Sequence, residues 1–148
     1  MKNTIKVFVL VALTLAAMSV SAQVKLGHIE TQKLIQAMPE WTAAQKTFEE
    51  EQKKVNTELN GLREQFQTKL AEYSEKMKTY SEAMRATTEE ELQGLQQRIQ
   101  RFQETAMAQL EKTQNDLMQP VMEKALNAIK EVGKENGFTY IFDMNAGI

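Results

Sequence analysis

The sequence has no cysteine, a single histidine (His28), two prolines and two aspartates (Asp116 and Asp143). Without cysteine there is no disulfide to staple the fold and no thiol to carry a lipid anchor. Stability must therefore come from packing along extended interfaces or between subunits. One histidine and no cysteine leave too few ligands for a metal site or a nucleophile and its base, so His28, in a predicted strand, reads as structural. Five glycines (Gly27, Gly61, Gly94, Gly133 and Gly137) stand isolated, and no Gly-Lys-Ser/Thr occurs. That excludes a phosphate-cradling loop and makes any activity nucleotide-independent. Glutamates are plentiful, but Glu49-Glu50-Glu51 reads as a solvated helix face and Glu89-Glu90-Glu91 as a helix start, with no apolar pocket for acid-base work. No cofactor and no enzymatic chemistry are expected.

Long apolar runs are also scarce. The one at the N-terminus follows Lys2 and Lys6, extends over Val7 to Ala17 and ends in Val20-Ser21-Ala22, the pattern of a secretory signal peptide cleaved after Ala22. It is shorter than the roughly 20 residues that span hydrocarbon. No other segment is apolar enough to cross a bilayer, so the mature chain from Gln23 is expected to be soluble, with membrane contact at most peripheral. Of the 18 basic residues, Lys2 and Lys6 lie in this leader, leaving 16 against 20 acidic residues, a net charge of −4. Such a balance argues against nucleic acid as a partner.

What is abundant is helical periodicity. Val24 to Ile29 suggests a short strand, and Thr31 is placed to cap a short helix through Ala37. Pro39 ends that helix and opens the next. From there Trp41, Ala44, Phe48, Val55, Leu59, Leu62, Phe66, Leu70, Tyr73, Met77, Tyr80 and Met84 recur mostly at steps of three or four. The spacing predicts a narrow apolar stripe on a helix of roughly 45 residues, on the order of 70 Å long. Thr88 and Glu91 fit a capping box, which sets the hairpin tip near 86–90. Leu92, Leu95, Ile99, Phe102, Ala106, Leu110, Leu117, Val121, Ala125, Ile129 and Val132 then form a returning stripe. Pro120 lies inside it and is the expected kink and hinge. Asn136-Gly137 suits a left-handed helix end, and Phe138 to Phe142 reads as a second strand. The organisation expected is a mainly α fold: a long antiparallel helical hairpin over 41–119, on a small β-containing oligomerisation body from 23–40 and 120–148. Two short strands bury too little to stand alone, which points to strands of other subunits as partners.

Lys25 to Leu34 resembles the opening signature of the Skp (OmpH) family of periplasmic chaperones, and Ala128 to Asp143, with Asn145-Ala146 beyond it, resembles the closing one. The resemblance implies a homotrimer with a β-rich body and three helical arms around a cavity, in which unfolded outer-membrane proteins are held without ATP. There are two departures from the family pattern. Residues 41–119 carry 11 basic and 14 acidic side chains, unlike basic arms that attract anionic clients or membranes. Family members also usually continue past the Asp-x-Asn-Ala segment, so a smaller body or a longer parent chain is expected.

The candidate client-binding residues are Tyr73, Met77, Tyr80, Met84, Leu92, Leu95, Ile99 and Phe102. A plainer role for most of them is to zip the arms together. The Met- and Tyr-rich stretch near the tip favours client contact, because thioethers and amphipathic rings adapt to many apolar partners. Gln93, Gln96, Gln97, Gln100 and Gln103 add an uncharged polar face. The function expected is an ATP-independent holdase of the periplasm; the alternative is a scaffolding coiled coil of the cell envelope bound to one folded partner.

Overall fold

The computed structural model describes residues 24–145, so the signal peptide expected at 1–22 lies outside the described residues. Five elements follow one another: β1 (Leu26–Ile29), α1 (Thr31–Ala37), α2 (Pro39–Lys76), α3 (Glu82–Glu135) and β2 (Tyr140–Asp143). The fold is mainly α. The two long helices pack together as a hairpin, as the apolar spacing predicts. At 1.5 Å per residue α2 is roughly 60 Å long and α3 roughly 80 Å.

β1 and β2 pair with each other, where the sequence suggested strands of other subunits. They run parallel, with Leu26 opposite Tyr140 and Ile29 opposite Asp143. Parallel neighbours need a long crossover, and the whole hairpin supplies it. Thr31 does not cap α1. The cap position falls on Glu30, whose carboxylate pairs with Lys33 and accepts from no backbone amide of the helix. The orphaned amide of Thr31 donates instead to Asp143 Oδ1 at 3.4 Å, so the end of β2 closes the start of α1. Met38 is extended, and this allows Pro39 to enter α2 in its first turn.

At the root of the hairpin Ile35, Ala44, Val121 and Ala125 form the buried cluster, flanked by Leu34, Met38, Trp41, Leu117 and Met118. The small Ala44 and Ala125 let the two long helices approach closely there. The C-terminus of α3 closes as a Schellman motif: Phe138 N donates to Gly133 O at 2.9 Å and Gly137 N to Lys134 O at 3.2 Å. Gly137 takes the left-handed conformation this motif requires, with φ +65°. Lys25 fastens β1 to this turn. Its Nζ donates to Asn136 O at 2.7 Å and lies 4.4 Å from the centre of the Phe138 ring. α3 passes through Pro120 without interruption.

The tip is not at 86–90. α2 ends at Lys76, and Ser81 caps α3, its Oγ accepting from Met84 N at 3.3 Å. The hydroxyls of Thr87 and Thr88 donate back to the carbonyls of Ala83 and Met84, as threonines do inside a helix. Glu91 is paired with Lys69 across the arm, leaving the predicted capping box unformed. Apolar spacing continues through the true turn because Tyr80 folds back on Tyr73, ring centres 6.3 Å apart, so periodicity alone gave no sign of a break.

Gly61 and Gly94 lie in helix interiors, and a Cβ at either would meet nothing within 4 Å. Gly61→Ala and Gly94→Ala are each expected to stabilise the arm by about 0.5–1 kcal/mol. The check is a urea titration, where a higher midpoint at unchanged slope is expected and an unmoved or lower midpoint would count against it.

Candidate functional site

Three side-chain bonds cross the hairpin and set its register: Glu40–Lys124 at the root, then Lys69–Glu91 and Tyr73–Glu89 towards the tip. Their side chains are largely exposed, so they specify alignment more than they stabilise. The Glu89 carboxylate accepts from the Tyr73 hydroxyl and holds its pKa above the usual tyrosine value. Its bond to Glu91 likewise raises Lys69. Along the arm only Leu62, Leu92 and Ala106 are buried. Val55, Leu59, Phe66, Leu95, Ile99, Phe102 and Leu110 are half-buried. Two helices alone shield only the line between them, so the flanks of a wider apolar stripe stay open to a third surface.

The eight candidate residues do not share one surface. Leu92 is buried, and Leu95, Ile99 and Phe102 are half-buried with it in the seam. Tyr73 and Tyr80 are half-buried against each other. Met77 and Met84, 42% and 53% exposed, stand on either side of the turn. The sequence reading passed over Met107, which lies one position off the seam residue Ala106 and is 73% exposed. It flanks a cleft of ≈390 Å³ between the helices, lined by Val55, Leu59, Phe102 and Leu110.

A second apolar surface lies at the root. The outward face of the β pair exposes Leu26, Tyr140 and Phe142, with Val24 and Met144 beside it. Behind the sheet Ile29, Leu34, Ile129, Val132, Phe138 and Ile141 line an apolar cavity of ≈200 Å³. Contiguous apolar exposure of this kind marks an interaction surface. Among the described residues, no group of three or more His, Cys, Asp or Glu could hold a metal ion, and no helix is long and apolar enough to cross a membrane.

Asp143 makes this root sensitive to acid. Its Oδ1 accepts from Asn145 N at 3.0 Å and from Thr31 N, and these bonds hold its carboxyl below the ordinary aspartate value. A carboxyl whose pKa is depressed by folding contributes stability above its unfolded value and loses it as pH falls through the folded one. Acidification below the ordinary aspartate range is therefore expected to weaken protection of the Thr31 amide in hydrogen exchange before the arm helices melt. In Asp143→Asn this acid step should disappear; its persistence would show that Asp143 is not its source.

Long helical arms rooted in a pair of short strands, with apolar side chains half-open along their length, define a hairpin protein with an extended, partly apolar surface. Compared with known families, residues 25–148 match the family described as outer membrane protein (OmpH-like), and the chain belongs to it. That family is one of chaperones, not of enzymes. No curated protein matches the sequence.

Proposed function

We propose that the chain is an ATP-independent holdase of the periplasm, acting as a homotrimer whose arms shield unfolded outer-membrane β-barrel precursors from aggregation. The observation that carries this reading is the half-open seam, where a long row of apolar side chains is shielded on one side only. A holdase needs many weak apolar contacts of this kind, which release a client without nucleotide. The exposed face around Leu26, Tyr140 and Phe142 supports self-association at the root, leaving the arms free. With 11 basic against 14 acidic residues over 41–119, capture rests on apolar contact more than on charge. Pro120, next to the buried Val121 at the top of the root, is the hinge on which an arm would swing. Family membership favours this reading over a scaffolding coiled coil.

The experiment is light scattering from an outer-membrane β-barrel protein diluted out of urea without ATP, in the presence of purified residues 23–148. Suppression at near-stoichiometric trimer supports the holdase; undiminished aggregation beside a folded oligomer sinks it and leaves the scaffold. Replacing Met77, Tyr80 and Met84 together by Ser is expected to weaken suppression by roughly tenfold, the equivalent of about 1.4 kcal/mol of lost apolar contact. Undiminished suppression by that variant would remove the tip from the client-binding surface.

A further inference from the structure

In a chain without cysteine, thioethers are the side chains most readily attacked by a two-electron oxidant. Seven methionines fall among the described residues, and their surroundings divide them sharply. Met38 and Met118 pack against the buried cluster at the root. Met77 and Met84 flank the tip turn, and Met107, the most exposed of all, stands beside the mid-arm cleft. Met122 and Met144 are also exposed, but they belong to the root, where the trimer reading places subunit contacts.

We propose that Met77, Met84 and Met107 are sites of reversible sulfoxidation by peroxides, and that their oxidation loosens the arm's hold on apolar chains. The loosening rests on the holdase reading and the setting aside of Met122 and Met144 on its trimer; the exposure of the three sites rests on neither. In the chemical step a lone pair of the Met sulfur attacks one peroxide oxygen. The O–O bond breaks, an S–O bond forms and the other oxygen leaves as water, so sulfur is oxidised by two electrons and the peroxide is reduced. The reverse step uses two thiols, which become a disulfide as the sulfoxide oxygen departs as water. Oxidation turns a flexible apolar side chain into a strongly hydrogen-bonding one. At these positions that change costs the folded chain little, because the side chains are exposed and outside the buried cluster. It falls instead on contacts with an apolar client. Met38 and Met118 are half-buried against the core cluster, so oxidation of the exposed arm methionines leaves that cluster intact while the arms change character.

The test treats residues 23–148 with hydrogen peroxide, maps sulfoxide by peptide mass spectrometry, and repeats the light-scattering assay with treated and untreated protein. Met77, Met84 and Met107 are expected to oxidise before Met38 and Met118 with helix content unchanged. The concentration giving half-suppression should rise roughly threefold or more, the equivalent of well under 1 kcal/mol per methionine, and fall back after a thiol-dependent sulfoxide reductase acts. The variant carrying Met77→Leu, Met84→Leu and Met107→Leu should hold clients equally well before and after peroxide. Equal holding by oxidised and reduced wild type, or the same loss in the leucine variant, would overturn the switch; oxidation of Met38 and Met118 at the same rate would overturn the sites. Absence of suppression by untreated protein would instead overturn the holdase reading and the switch with it, leaving the sulfoxide map to decide the sites alone.

Discussion

Val121→Asp is expected to unfold the root of the hairpin. Val121 is 3% exposed and belongs to the one buried cluster that joins α1, α2 and α3. No described basic side chain belongs to that cluster to pair with a new carboxylate, and an unpaired buried charge costs several kcal/mol. A loss of that size consumes much of the roughly 5–15 kcal/mol that holds a domain together. Trp41 packs against the same cluster, so its fluorescence reports the change directly. The expected result is a urea midpoint far below the parent's, with the root opening before the arm helices. A parental midpoint would mean that the root contributes little to stability.

A second large effect is expected from Gly133→Leu. Gly133 is buried on α3 where β2 crosses it, and a Cβ there would already sit 3.0 Å from Ile141 Cδ1. A leucine would drive the rest of its side chain into Ile141 and push β2 away from the helix. Overpacking of this kind typically costs about 1–3 kcal/mol. Here the strain acts on a strand of four residues held by a single neighbour. Hydrogen exchange should show lost protection from Tyr140 to Asp143 while the amides of mid-α2 keep theirs. If both regions exchange as in the parent, Ile141 has room to yield and Gly133 is not required for the strand to dock.

The elements that the sequence foretold well are those with long repetition. The stripe from Trp41 onwards and its return to Val132 place two helices in a hairpin, because 23 apolar positions recur at helical spacing. The strand signals at Val24–Ile29 and Phe138–Phe142 were likewise legible from β-branched and aromatic residues between polar flanks, and the strands fall within a few residues of them, at Leu26–Ile29 and Tyr140–Asp143. Single residues competing for one role misled. Thr88 with Glu91 has the form of a capping box, but the cross-arm partners Lys69 and Tyr73 take up Glu91 and Glu89, and Ser81 caps the helix a turn and more earlier. Thr31 could have capped α1, but Asp143, brought over by the strand pairing, reaches its amide instead. Both errors arise from tertiary partners that no local window contains. The candidate site divides in the same way: Leu92, Leu95, Ile99 and Phe102 follow the period into the seam, while the openness of Met77, Met84 and Met107 depends on where the turn falls and on the second helix.

The pairing of the first strand with the last also sets a timetable. Lys25 and Thr139, bonded backbone to backbone, are 114 residues apart, so β1 waits for β2 until both long helices have been delivered. For a polypeptide that emerges N-terminus first, from a ribosome or through a membrane pore, the helices can form as they appear but the root cannot close until β2 arrives. Closing so long a loop is costly on its own. The hairpin removes most of that cost by folding the intervening chain into a rigid clasp whose two ends already lie side by side. A chain stalled before Tyr140 would thus carry complete arms and an unlatched root, and the arrival of β2 would itself be the event that locks the fold.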